Sequence, residues 1–288
     1  MNVFLGQEQS LKLGDLEFHI LNAGHVYLDG GAMFGVVPKP LWEKKCPADA
    51  RNRIQLSMNC ILVRAGGKVI LVETGAGNKF DAKFRDIYAI DGPFLTAELH
   101  RYGLGLHEID IVINTHLHFD HCGGNTHVEK DKVVPTFPHA RYAVQRGEFE
   151  HALHPTERDR ASYFPDNYLP LRSSCKLSLL EGDRTIAPGV DLINVPGHTS
   201  HMQCVKLHGG GKTAFLLADL VPTAAHLPLP WIMGYDLYPM TTLENRKKWI
   251  PEIIREGWIA LFGHDPRTPA AYLRERNGAW EAEPVKID

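Results

Sequence analysis

His116-Leu117-His118-Phe119-Asp120-His121 places four metal-ligand side chains within six residues. The stretch follows directly on residues 109–114, an apolar run that reads as a buried strand. A regular strand sends successive side chains to opposite faces, whereas a sharp loop at a strand end can aim several at one point. Neutral imidazole and carboxylate are donors suited to zinc and similar borderline metals. Four of them together read as a metal site rather than a polar loop. Three more ligand-type residues stand at the ends of strand-like segments. His198 lies in Pro196-Gly197-His198-Thr199, Asp219 ends the apolar run 214–218, and His264 follows the run 259–262. Alone, each reads as structural, and a strand-end Asp in particular as a turn cap. Together the seven are too many for one tetrahedral metal and suit two.

Outward from this cluster the chain is strand-rich. Residues 16–27 read as strand and turn, and 58–64 and 68–73 as a hairpin about Ala65-Gly66-Gly67. Residues 94–102 have helical spacing that ends at Gly103. Strands recur at 190–194, 203–207, 213–217 and 258–262. Residues 242–256 read as a helix with Glu244, Arg246, Lys247 and Lys248 on its wet face and a kink or break at Pro251. The sum is an α/β protein with layered sheets. Two irregular excursions interrupt it, 29–55 and 154–174, and the first reads as a loop lying over the site.

Composition narrows the function. The 288 residues are 44% hydrophobic and 23% charged, with a net charge of -3, as in an ordinary soluble globular protein. No apolar run approaches the roughly 18 residues of a membrane span. The first 18 residues carry neither the basic nor the apolar region of a secretory leader. No dense Lys/Arg block marks a nucleic-acid binder. Five widely spaced cysteines fit reduced thiols and a cytoplasmic location. The partner expected is a small-molecule substrate.

HxHxDH, PGH, a strand-end Asp and GHD, in this order, resemble the metallo-β-lactamase superfamily. The resemblance covers most of the chain and implies one domain over residues 1–288, a four-layer αβ/βα sandwich. It implies that His116, His118 and His198 bind one divalent metal, that Asp120, His121 and His264 bind a second, and that Asp219 bridges them. The metals are expected to be zinc, with iron, manganese, cobalt or nickel as alternatives. A hydroxide shared by two such cations is the expected nucleophile, with Asp120 as proton shuttle.

Residue types narrow the branch. The flavodiiron reductases resemble HxExDH, but position 118 is His. Many lactamases of this fold have Cys or Ser where Asp219 stands. No RNA-binding module is evident, and the 24 residues after His264 (288 minus 264) are too few for the glyoxalase II helical domain. What remains resembles the N-acyl homoserine lactonases and methyl parathion hydrolase. This implies a lactonase, with a phosphotriesterase or arylesterase as the alternative and a catalytically silent metal-binding sensor as the third reading. Pro222 stands where those lactonases often carry a substrate-contacting Tyr, so Tyr235, Tyr238 or His226 is the expected replacement. PGHTSH is one residue shorter than the usual PGHTPGH, and its His201 is a candidate to orient a ligand. Glu73, in Glu73-Thr74-Gly75, resembles the acid that supports a ligand's ring nitrogen, and Cys122 reads as a buried small residue. Phe34, Phe119, Trp231 and Tyr235, with Met33 and Trp42, are the ring-bearing or apolar candidates for the substrate pocket. The excursion around 33–42 leaves a homodimer open.

Overall fold

The structure, a computed structural model, describes residues 10–92 and 94–285. Residues 1–9, part of the stretch on which the absence of a leader was read, lie outside the described residues. β1 (Ser10–Leu13), β2 (Leu16–Asp29), β3 (Arg53–Ala65) and β4 (Lys68–Val72) form an antiparallel meander, and β5 (Ile111–Ile113) joins in parallel. After a separate hairpin of β6 (Thr126–Glu129) and β7 (Lys132–Pro135), β8 (Arg141–Gln145) and β9 (Leu177–Leu180) complete the first sheet. The second sheet runs in chain order: β10 (Arg184–Ala187), β11 (Val190–Asn194), β12 (Gln203–Gly209), β13 (Lys212–Leu216), β14 (Ile259–Leu261), β15 (Ala270–Arg276) and β16 (Ala279–Pro284). Its one parallel pair, β13 with β14, is bridged by the helix Pro239–Glu256.

Three apolar seams stack these sheets. The middle seam joins Phe18, Ile61, Val63 and Ile70 of the first sheet to Leu192, Val205, Leu216 and Leu261 of the second. Alternate residues of β3, Cys60 and Leu62, face outward into a seam with Leu95 and Leu99 of the helix Leu95–Arg101. On the far side, Phe215, Ala260 and Leu273 pack on Ile250 and Ile253 of the long helix. Helix, sheet, sheet and helix thus make the four-layer αβ/βα sandwich that the sequence resemblance implies. The first half of β3 alternates polar and apolar side chains, whereas residues 60–63, buried on both faces between two seams, run continuously apolar.

The long helix departs from its reading twice. It runs unbroken through Pro251. Pro251 and Lys247 are both on the exposed face, so the carbonyl that loses its N–H partner turns to water. Arg246, expected on the wet face, is fully buried. Its guanidinium donates to the carbonyls of Leu220, His226 and Trp231 at 2.7, 2.9 and 2.9 Å. The excursion 29–55 holds two short helices, Gly30–Phe34 and Lys39–Trp42, and Gly234 N–H donates to Ala32 O at 2.8 Å to tie it to the loop before the long helix. Among the described residues no helix is long and apolar enough to cross a membrane.

Candidate metal centre

Strand ends and tight backbone build the site. After β5 the chain bends at Thr115 and His116, is extended again at His118 (φ −66°, ψ 154°), then makes one helical turn, Phe119–Cys122. That bend brings the His116 and His118 rings within 4.5 Å of each other, and the helical turn brings Asp120 and His121 round to the same point. Two non-glycine residues are held in the left-handed region beside this loop, Glu73 (φ 63°) and Ala218 (φ 46°). Such backbone costs of order 1 kcal/mol or more and persists where surroundings over-determine it. Ala218 turns the chain at the end of β13 so that Asp219 enters the centre. Gly197 (φ 147°) lets the turn before His198 sit against the long helix, since a Cβ there would lie 2.4 Å from Thr242 Oγ1. Cross-sheet bonds set the loops against one another: Ser57 N–H donates to His264 O and Gln203 N–H to Thr115 O, both at 3.0 Å.

All seven side chains converge there and all are buried. Their ligand atoms form three overlapping groups, each within 4.8 Å: His116, His118 and His198; His116, His121 and Asp219; Asp120, His121 and His264. His198 Nε2 lies 3.0 Å from His118 Nδ1, and His264 Nε2 lies 3.0 Å from His121 Nε2. Asp219 stands between the pairs, Oδ2 3.1 Å from His198 Nε2 and Oδ1 3.2 Å from His264 Nε2. His116 Nε2 is buried with no hydrogen-bond partner. An orphaned nitrogen among converging imidazoles and carboxylates is the donor chemistry of a borderline divalent metal, and the residues fit such a group.

The outward nitrogens are held separately, which fixes ring orientation. His198 Nδ1 meets Asp236 Oδ1 at 2.9 Å, His264 Nδ1 meets Ser57 O at 2.9 Å, and His116 Nδ1 meets Thr115 Oγ1 at 3.0 Å. Glu73 Oε1 lies 3.5 Å from His121 Nδ1 and accepts from Thr115 N–H at 2.9 Å. His201, the sequence candidate for such a role, is exposed and meets Ser200 Oγ instead. It turns outward, and Asp236, unremarked in the sequence, takes the place beside His198. Cys122 Sγ is buried and donates to Leu117 O at 3.2 Å.

Electrostatics divide the centre between rings held neutral and rings paired with carboxylates. Burial, reinforced by neighbouring imidazoles, holds His116 and His118 well below the usual histidine range, so their lone pairs are free. Burial also opposes charge on His121, but Asp120, Asp219 and Glu73 outweigh it and lift the ring to about 10. Burial would raise the Asp219 carboxyl, yet His198, His121 and His264 hold it well below the carboxylate range.

Above the centre opens a cavity of about 270 Å³. His118, Asp120, His198, Asp219 and His264 contribute to its lining, and Leu28, Ala32, Met33, Leu56 and Met233 add apolar surface. Phe119 and Tyr235 line it, as do two residues that sequence reading missed, Tyr88 and Arg158. Phe34 and Trp231 do not. The short helix that brings Ala32 and Met33 to the cavity sends Phe34 into the core, fully buried and stacked 4.3 Å from the His226 ring. Trp231 packs edge-on to Phe34 at 5.6 Å, under Lys45. Trp42 is buried and stacks on the other side of Phe34 at 5.3 Å. His226 is not free as a donor to substrate: Nδ1 meets Thr223 Oγ1 at 2.8 Å and Nε2 meets Met33 O at 3.0 Å. Tyr238 is exposed and outside the lining.

A sequence model of the metallo-β-lactamase superfamily matches residues 54–264, a span that contains all seven candidate ligands. The chain belongs to the metallo-β-lactamase superfamily. An N-acyl homoserine lactonase of Bacillus thuringiensis is 29% identical over 228 residues, 74% of this chain and 82% of that protein. The solved structure of a probable metal-dependent hydrolase from Staphylococcus aureus superposes with a TM-score of 0.87 at 32% identity, covering 96% of this chain and 100% of that one. AidC, a dizinc quorum-quenching lactonase solved with a product, superposes with a TM-score of 0.82 over 99% of both chains, but at 22% identity it speaks to the fold alone. Within the superfamily this chain is one of the metal-dependent hydrolases.

Proposed function

We propose that this metallo-β-lactamase-fold protein is a dinuclear hydrolase that opens the ester bond of a small lactone. One observation carries the reading: two buried donor sets share Asp219 beneath a cavity with an apolar wall. His116, His118 and His198 would hold one metal, Asp120, His121 and His264 the other, and Asp219 both. Zinc suits these donors first. Two divalent cations held there supply Lewis acidity and a hydroxide near neutral pH. The chain's own groups do the rest. Asp120 lines the cavity, and its carboxylate takes a proton and delivers it to the departing ring oxygen. Burial, then the nearby Asp120 charge, raises the Tyr88 hydroxyl. Burial, then Tyr88, raises that of Tyr235. Both phenols therefore stay neutral and can donate to a substrate carbonyl, in place of the Tyr that Pro222 displaces. The wall of Leu28, Met33, Leu56 and Met233 suits an acyl chain.

Hydrolysis rates on acyl homoserine lactones of several chain lengths, simple γ- and δ-lactones, an aryl ester and an aryl phosphotriester test the substrate class. Lactones should turn over fastest, with a chain-length optimum set by the apolar wall. Fastest turnover of the phosphotriester or aryl ester would transfer the same centre to that substrate class, which Pro222 and the ring-bearing Phe119, Tyr88 and Tyr235 favour as the second reading. Tyr235→Phe is expected to lower kcat about tenfold, the worth of one neutral hydrogen bond at roughly 1.4 kcal/mol. Unchanged kcat in both Tyr235→Phe and Tyr88→Phe would remove the phenols from the chemistry.

A further inference from the structure

Glu148 is fully buried on the helix Arg146–Leu153, and nothing in the reaction above uses it. Its carboxylate is met by donors from three separate segments. Leu117 N–H and Tyr163 O–H donate to Oε1 at 3.0 and 2.9 Å, and Thr199 O–H donates to Oε2 at 2.6 Å. Leu117 lies between His116 and His118, and Thr199 directly follows His198. The Tyr163 ring lies edge-on to His118, with centroids 4.8 Å apart. One carboxylate thus fastens a neighbour of every histidine in one donor set. Its three donors are all neutral, so these contacts satisfy its lone pairs without cancelling its charge. A buried carboxylate is stabilised further by a nearby cation, and the donor set it braces is where one would bind.

We propose that Glu148 is the positioning residue of the His116/His118/His198 metal site. Its hydrogen bonds hold two ligand loops at a fixed spacing, and its charge favours a cation between them. The inference rests on the metal-site reading above. A residue that merely staples the fold would affect stability without regard to which donor set is filled.

Glu148→Gln separates the two roles. The amide keeps the shape, its oxygen can still accept from Leu117 N–H, and its NH2 can donate to Thr199 Oγ1, so chiefly the charge is lost. Metal-free full-length protein is titrated with zinc in two parent backgrounds. His264→Ala leaves the Glu148-braced set whole, and His116→Ala leaves the Asp120/His121/His264 set. Adding Glu148→Gln should weaken zinc about 10–100-fold in the first background and by less than twofold in the second. Thr199→Val, which deletes the bond beside His198 and keeps the carboxylate, should weaken zinc severalfold in the first background only. It serves as the second variant if Glu148→Gln does not fold. Equal losses in both backgrounds, or no loss in the first, would overturn the assignment to that site. A His264→Ala parent that binds no zinc would instead strike the dinuclear reading, and this inference with it.

Discussion

Asp219→Asn is expected to lower kcat/KM by about 10³-fold, some 4 kcal/mol of transition-state stabilisation. Asp219 is the anion that both imidazole pairs face, with contacts of 3.1 Å to His198 and 3.2 Å to His264. An amide of the same shape keeps the geometry but removes the charge that two closely held cations need between them. Metal content should fall below two per chain in the same sample, because each donor set would then rely on its own residues. Measured kcat/KM within tenfold of the parent, with metal content unchanged, would show that Asp219 does not join the two sets.

Arg246→Leu is expected to destabilise the fold by about 3–5 kcal/mol, by leaving two buried carbonyls and one part-buried carbonyl without donors at roughly 1–3 kcal/mol for each buried one. Burial pulls the guanidinium down to about 10, so it remains charged at neutral pH, and Asp236 is its favourable counter-charge. The carbonyls it holds lie in the segment after Asp219 and in the loop that leads to Asp236, which in turn holds His198. The substitution should therefore lower the melting temperature by on the order of 10 °C and weaken metal binding together. A shift of less than about 1 kcal/mol in denaturant unfolding would mean the guanidinium is replaceable there.

The contrast between Asp219 and Arg246 shows what the sequence displays and what it conceals. The seven candidate ligands were legible because chemistry of one kind recurs at strand ends, and few arrangements place five imidazoles and two carboxylates there by chance. β3, β4 and the strands leading to His198, Asp219 and His264 were legible from their apolar runs. Arg246 was not, because one charged residue among Glu244, Lys247 and Lys248 looks like its neighbours until tertiary contacts bury it. Short elements concealed more. The strand pair Thr126–Glu129 and Lys132–Pro135 is too brief to show a period, and helices of four or five residues carry none. For that reason Phe34 and Phe119 look equivalent as rings on irregular segments near the site, yet one fills the core and the other lines the cavity. Tyr88 reaches the cavity from the helix Ala82–Tyr88, and Asp236 reaches His198 from 38 residues away. Neither carries a local signal. Tyr88 is placed by the helix Ala82–Tyr88 and Asp236 by the loop before the long helix, both set by tertiary packing.

The most direct test of the central claim is the metal-to-chain ratio of the purified protein, measured by elemental analysis alongside lactone hydrolysis before chelation, after it, and after zinc is restored. The account predicts two metals per chain, loss of turnover with the metals, and recovery only as the second equivalent returns. A chain that hydrolyses its best substrate at full rate with fewer than one bound metal would contradict it.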